Sequence, residues 1–383
     1  MQRRELLKFL VGGLGGLVGS PLPAGLARAQ APAPGAPSPP VNLLEFEPLA
    51  RQRLSRMAYD YVSHGAADQV TLRLNRTAFD AIRLKPRVLI DVSSLDTRLK
   101  LFGQALEFPI LLAPVGGQRV IHPGAEPEAA RGAHAGGAAM VVSTNASAPI
   151  EENARAAPAR LWFQLYARRD RSATRDLVQR AEAAGCSALC ITVDTPVIPM
   201  RDHLKRPGMG LPHTGKPTGP GGRVSPIYAD LFAPTVTWET IAWIRSFAKT
   251  PVILKGILAP EDARLAADHG LAGVIVSNHG GRNLDTTPAT IEALPAVAAA
   301  VGDRLTVLLD SGVRRGTDVV KALALGAQAV LIGRPYLWGL AVDGAAGVQR
   351  VIEILRTELE AAMALCGVPS LEKINRQVLW SQP

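Results

Sequence analysis

The sequence predicts an α/β fold, a closed (β/α)8 TIM barrel preceded by a short helical extension. Three observations carry the prediction. Short apolar runs recur eight times between residues 110 and 332, separated by loops and Ala-rich stretches of helical spacing. The runs lead into polar residues, as expected where a barrel gathers its functional groups at the C-terminal ends of its strands. Pro114-Val115-Gly116-Gly117, after the first run, lacks the glycine fingerprint that an open, doubly wound dinucleotide-binding sheet would carry there.

Taken in order, Arg3-Arg4-Glu5-Leu6-Leu7-Lys8, the Gly-rich apolar stretch Phe9–Val18 and Ala27-Arg28-Ala29 read as a twin-arginine-type signal peptide over residues 1–29. The apolar part is too short for a comfortable membrane span. A leader of this type implies export to the periplasm after folding, so that a cofactor is acquired before export; an uncleaved flexible leader is the alternative. Alternating Ala and Pro make residues 30–42 an extended linker. Apolar spacing then predicts helix across Leu43–Gly65 and a second helical segment over Val70–Phe79. The barrel domain occupies residues 43–383. Its strands are read at Ile110–Pro114, Ala139–Ser143, Leu161–Tyr166, Ala188–Val193, Val252–Lys255, Gly273–Ser277, Thr306–Leu309 and Ala329–Ile332. Helices such as Glu261–His269 and Gly316–Leu325 are each followed by a glycine that stops them. The Gly- and Pro-rich stretch Arg206–Val224 follows the fourth strand and is expected over the barrel mouth as a lid or a docking surface for a membrane or redox partner.

With 47% of its 383 residues apolar, the chain can bury a large core. Its net charge of +9 comes from Lys and Arg dispersed among Asp and Glu, without basic blocks interleaved with aromatics, which argues against nucleic-acid binding. An anionic substrate, an anionic cofactor and a peripheral contact with an anionic membrane all fit that charge. Cys186, Cys190 and Cys366 match neither a disulfide framework nor a zinc pattern and read as small core residues.

The strand ends supply the chemistry. Ser277-Asn278-His279-Gly280-Gly281-Arg282 places a candidate base three residues from a fixed cation, beside glycines that let backbone approach a ligand closely. Asp194, on another strand end, is placed to hold the His279 ring in one tautomer and raise its basicity. Lys255 faces inward if the pleat is regular, a costly position unless it meets an anion; it serves there either as a Schiff-base nucleophile or as a stabiliser of negative charge on a reduced cofactor. The loops after strands seven and eight, with Gly312, Arg314, Gly333 and Arg334, have the makings of a phosphate site.

On these residues the chain resembles the FMN-dependent α-hydroxy acid oxidase and dehydrogenase family, which includes glycolate oxidase, lactate oxidase and mandelate dehydrogenase. The likeness runs from about Leu43 to the C-terminus through Tyr59-Asp60-Tyr61, Gln164-Leu165-Tyr166, Thr192-Val193-Asp194-Thr195-Pro196, Leu254-Lys255-Gly256, the His279 motif, Asp310–Gly316 and Gly333-Arg334-Pro335. The resemblance implies FMN at the barrel mouth, its phosphate on Arg314, Gly333 and Arg334, its ribityl chain near Asp310, and its ring near Gln164, Thr192 and Lys255, with Pro114, Val115, Gly116, Thr144 and Gly312 also among the cofactor-binding residues. It further implies His279 as base, supported by Asp194. Arg282, Arg201 and Tyr61 would hold the substrate carboxylate, and Tyr166 the substrate oxygen. The implied reaction takes a small L-2-hydroxy acid to the 2-keto acid, with electrons passing to O2 or to a quinone or cytochrome, in a homo-oligomer that the family makes a tetramer. An FMN barrel of another class, such as an isomerase, and a non-catalytic flavin-binding barrel are the alternatives.

Departures from the family pattern give further expectations. Val115 and Gly116 stand where Thr and Ala are usual, removing a hydroxyl and loosening the backbone. Thr144-Asn145 replaces Ser and, often, an aromatic, which puts a polar contact in the substrate pocket. Ser311 stands for glycine and Gly281 for alanine, with little expected effect.

Overall fold

The computed structural model describes residues 39–158, 160–205 and 234–380, so the twin-arginine leader, the linker up to residue 38 and the Arg206–Val224 stretch lie outside the described residues. The helical extension is divided more finely than its apolar spacing implies. Leu43–Glu45 is a 3-10 turn, followed by α1 (Phe46–Arg53), α2 (Arg56–Ser63) and α3 (Val70–Ala81). The break at Leu54-Ser55 arises because Leu54 is extended and the Ser55 hydroxyl accepts the Ala58 N–H at 3.2 Å, capping α2 as a separate helix.

An antiparallel hairpin, β1 (Leu99–Leu101) and β2 (Gln104–Leu106), precedes the barrel. The parallel barrel strands are β3 (Ile110–Leu112), β4 (Ala139–Ser143), β5 (Leu161–Leu165), β6 (Leu189–Thr192), β7 (Val252–Ile257), β8 (Gly273–Val276), β9 (Thr306–Asp310) and β10 (Ala329–Ile332), with β10 returning to pair with β3. All eight anticipated strands are present, with ends shifted by one or two residues. Around them lie α4 (Ala125–Ala135), α5 (Ile150–Ala156), α6 (Arg171–Ala183), α7 (Trp238–Arg245), α8 (Pro260–Asp268), α9 (Thr290–Val301), α10 (Gly316–Ala324) and α11 (Arg334–Leu365). The last is interrupted at Asp343-Gly344, where the Glu128 carboxylate accepts the Ala345 N–H at 2.9 Å.

Because side chains alternate across each strand, two cores result. One set of residues, among them Leu112, Val142, Phe163, Ile191 and Leu254, packs outward against the helices. The other set, including Leu111, Val141, Trp162, Cys190, Ile253, Ile275 and Leu308, fills the barrel together with Leu101 and Leu106 of the hairpin. The hairpin closes the N-terminal end, where Phe102 meets Trp162 edge-on and the indole N–H of Trp162 donates to Gln104 at 2.9 Å. All three cysteines are buried and free, as expected of small core residues. No helix among the described residues is long and apolar enough to cross a membrane.

Candidate active site

Two residues beyond each apolar interior position, the same strand face reaches the C-terminal mouth, and there the residue types change. Val141 gives way to Ser143, Trp162 to Gln164, Cys190 to Thr192, Ile253 to Lys255, Ile275 to Ser277 and Leu308 to Asp310. All of these except Ser277, which lies buried beneath them, line the floor of a cavity of about 380 Å³, within the size range of small-molecule sites. They are joined across strands: Ser143 donates to Gln164 Oε1 at 3.0 Å, and Gln164 Nε2 to Thr192 Oγ1 at 2.9 Å. Lys255 is inward and buried, as its strand position predicts. Its ammonium lies 3.1 Å from Asp310 and donates to Ser277 Oγ at 2.8 Å, while Ser277 donates to Asp310 at 2.9 Å. Burial alone would lower the Lys255 pKa, but Asp310 and Asp194 outweigh it and hold the ammonium above its ordinary value.

His279 lies above this floor. Its Nδ1 is 3.0 Å from Asp194 Oδ1, an arrangement in which Nδ1–H donates to the carboxylate and Nε2 is left as the basic nitrogen. Asp194 can approach because Gly256, at φ +110°, has no side chain; a Cβ there would lie 2.5 Å from that of Asp194. Burial pushes the His279 pKa down; Asp194 opposes this, but burial with the help of Lys255 and Arg201 prevails, so the neutral ring is favoured at pH 7. Burial acts on Asp194 in the opposite sense, but the His279 ring and Lys255 overcome it and keep the carboxyl below its usual range. Tyr166, buried near Asp194, is pushed up to about 12 and remains a hydroxyl donor.

Cations line the rest of the cavity. Arg201, Arg282, Arg314 and Arg334 all face it, and among the described residues no carboxylate pairs with any of them. Arg334 instead donates to the carbonyls of Val62, Gly280 and His64, Arg282 to that of His64, and Arg201 to that of Arg282. Burial, with Arg334 and Arg76 nearby, brings Arg314 down to about 9, and burial brings Arg334 down to about 10. Burial and the neighbouring Arg201 and Arg334 also depress Arg282. A cavity that gathers uncompensated guanidinium groups is built for anions. Arg314 and Arg334 flank the start of α11, whose N-cap Gly333 contributes no side chain, so its first N–H groups stay open toward an anion.

This donor set fits FMN: a phosphate end at Arg314, Gly333 and Arg334, and a polar ring floor at Gln164, Thr192 and Lys255. Pro114, Val115, Gly116, Asp310, Gly312 and Tyr61 line the same cavity, and Asp194 stands behind His279. Thr144 is the exception. Its hydroxyl donates to the Gln164 carbonyl at 2.6 Å and accepts the Tyr166 N–H at 3.1 Å, so it ties β4 to β5 instead of facing the cavity. Gly116 does not loosen its loop either. A Cβ there would lie 2.7 Å from the Asn145 carbonyl, and the Tyr61 hydroxyl donates to the Gly116 carbonyl at 2.9 Å, so the loop is held from both sides. Gly281 also matters more than expected: at φ +71° a Cβ would sit 2.7 Å from the Leu72 nitrogen.

Two groups in the site went unread in the sequence. Asn75 on α3 exchanges hydrogen bonds of 2.9 and 2.8 Å with Asn278, bracing the turn that carries His279. Arg76 pairs with Asp318 at 2.9 Å and donates to the Gly312 carbonyl, bracing the loop of Arg314. Both contacts span more than 200 positions, and no local pattern in the sequence signals them.

Comparison with known proteins agrees with this geometry. The model of the FMN-dependent dehydrogenase family matches residues 50–381. The chain is 44% identical to L-lactate oxidase of Nostoc sp. over 363 residues, covering 89% of this chain and 98% of that protein. It is 43% identical to glycolate oxidase of Spinacia oleracea over 359 residues, covering 89% and 97%. Among solved structures, mandelate oxidase with (S)-2-phenylpropionate superposes with a TM-score of 0.82 at 40% identity, covering 90% of this chain and 99% of the other. The flavin-binding domain of baker's yeast flavocytochrome b2 gives 0.83 at 37%, covering 89% and 88%.

Proposed function

Because the chain belongs to the FMN-dependent dehydrogenase family and oxidises 2-hydroxy acids with FMN, we propose that its substrate is a small L-2-hydroxy acid of the lactate, glycolate or mandelate class and that O2 is its acceptor. The observation that carries this reading is the His279–Asp194 pair facing, across one cavity, Arg201 and Arg282, neither of which pairs with a carboxylate among the described residues. When bound, FMN takes up the two electrons of the oxidation and one of the two hydrogens that leave the substrate.

The protein's own groups supply the rest. Arg282 and Arg201 bind the carboxylate, with Tyr61 beside the Arg282 guanidinium at 5.3 Å. The Tyr166 hydroxyl holds the substrate oxygen. Neutral His279 takes the departing proton at Nε2, and Asp194 stabilises the imidazolium that results. Lys255, held protonated by Asp310, places positive charge at the floor where negative charge gathers. Val120, Leu204 and Asn145 also line the cavity and receive the substrate's side chain.

The test starts from the full chain expressed in a Gram-negative host, with protein recovered from the periplasmic fraction, since export through the leader at residues 1–29 belongs to the same proposal. Anaerobic titration with glycolate, L-lactate and L-mandelate is expected to bleach the flavin band, and admitted air to restore it within seconds. Retention in the cytoplasm with an uncut leader would sink the export reading. Slow return of colour in air, with fast return on adding a quinone or cytochrome, would replace O2 as the acceptor.

We also propose a homo-oligomer, joined at least in part through Arg87-Val88-Leu89-Ile90-Asp91. All five residues are exposed; Leu89 is wholly so at φ +60°, and Leu365 is exposed on the neighbouring C-terminal segment. Three apolar residues between a cation and an anion are self-complementary about a two-fold axis through Leu89, where Arg87 of each copy meets Asp91 of the other. Leu89→Asp is expected to lower the mass measured by sedimentation at micromolar concentration. A parent chain that sediments as a monomer would refute the proposal.

A further inference from the structure

The turn that carries His279 is unusual over three consecutive residues: His279, Gly280 and Gly281 have φ of +58°, +67° and +71°. A histidine in this conformation is strained, and such strain persists only where the surroundings over-determine it. Here each N–H of the turn is taken by a side-chain oxygen. His279 N–H donates to Ser277 Oγ at 3.1 Å, Gly280 N–H to Ser311 Oγ at 3.0 Å, and Gly281 N–H to Asn278 Oδ1 at 3.1 Å. Ser277 and Ser311 then donate to the two oxygens of one carboxylate, that of Asp310, at 2.9 and 2.7 Å.

Ser311 is the informative member. It sits at φ +73°, a conformation that glycine adopts freely and serine does not. What serine adds is a hydroxyl, and both of its strong hydrogen bonds are made inside the protein, one accepted from Gly280 and one donated to Asp310. We propose that Ser311 is a positioning residue: its hydroxyl links the Asp310 carboxylate to the Gly280 amide and fixes the height and tilt at which His279 presents its ring. The inference rests on the reading of His279 as the base. Asp310 is itself fixed by the buried Lys255 ammonium 3.1 Å away, so the link runs from the cavity floor to the base turn through buried, paired groups.

Two substitutions in the FMN-loaded full chain separate positioning from mere structure. Ser311→Gly removes the hydroxyl and relieves the backbone strain, whereas Ser311→Ala removes the hydroxyl and keeps the strain. With L-lactate as probe, both are expected to lower kcat about tenfold, the scale of a sub-ångström misplacement of a reacting group, with KM and FMN affinity within about twofold of the parent. Ser311→Gly is expected to melt at or above the parent temperature and Ser311→Ala below it. In a His279→Gln background, Ser311→Gly should cost nothing further, because the group it positions is gone. A Ser311→Gly enzyme with parental kcat overturns the proposal, as does a loss of FMN affinity equal to the loss of kcat, or an undiminished loss in the His279→Gln background. Full turnover by His279→Gln alone would instead remove the base reading, a different result on a different variant.

Discussion

Replacing His279 by glutamine is expected to leave the flavin spectrum intact and to lower kcat about 10³-fold, the usual cost of removing a general base. Glutamine preserves the size and polarity of the side chain but cannot take the proton, and neither Lys255 nor any of the four arginines can substitute, since all are cations. Rapid-mixing measurement of flavin reduction reads the loss directly, before the acceptor step. A reduction rate within tenfold of the parent would mean that another group removes the proton. The pH profile provides a second check. Burial and Lys255 hold the His279 pKa below its usual 6.5, and the neutral form is the active one. On the acid side, kcat/KM should therefore hold its neutral-pH value until pH drops through that lowered value, and fall below it. Asp194→Asn removes an attraction that raises the His279 pKa, so the acid limb should move to still lower pH while kcat falls, because the imidazolium has lost its counter-charge. Tyr166, at about 12, should impose no alkaline limb in the accessible range.

The barrel was legible because its strands repeat one pattern, an apolar run ending in a polar residue, and two-residue periodicity converts that pattern into a filled interior below and a functional floor above. Lys255 could be placed facing inward on that ground alone, and the structure puts it there, against Asp310. The family motifs located the cavity-lining cations and the His279–Asp194 pair in the same way. What stayed hidden depends on contacts between distant residues. The hairpin at Leu99–Leu106 has strands of three residues each, too short for any periodicity to appear. Asn75 meets Asn278 across 203 positions, and nothing at either asparagine announces the other. Thr144 reads as a flavin neighbour because it follows a strand, yet its hydroxyl finds the Gln164 carbonyl at 2.6 Å, a choice set by local backbone geometry. Gly281 and Ser311 look interchangeable with their family counterparts until their positive φ angles are known.

Replacing Lys255 by methionine is expected to damage both stability and turnover, because the pair it forms with Asp310 is buried and its loss leaves a carboxylate uncompensated. Breaking such a pair by removing one partner costs about 3–5 kcal/mol, more than the pair itself contributes relative to apolar residues of the same volume. Methionine fills much of the space the lysine stem occupied, so little of the loss should come from a cavity. Ser277 would still donate to Asp310 at its 2.9 Å position but would lose the donor it now receives from Lys255. Urea unfolding of the FMN-stripped protein isolates this effect from cofactor binding. If the uncompensated charge is the cause, adding Asp310→Asn to Lys255→Met should recover a substantial part of the lost stability, since the two sites are in contact and their effects are not additive. The double variant should nevertheless remain inactive, because the positive charge at the cavity floor is still missing. A single variant destabilised by less than about 1 kcal/mol would place the Lys255–Asp310 pair in the same class as an exposed ion pair. A double variant less stable than the single one would show that the carboxylate is held chiefly by Ser277 and Ser311, not by the ammonium.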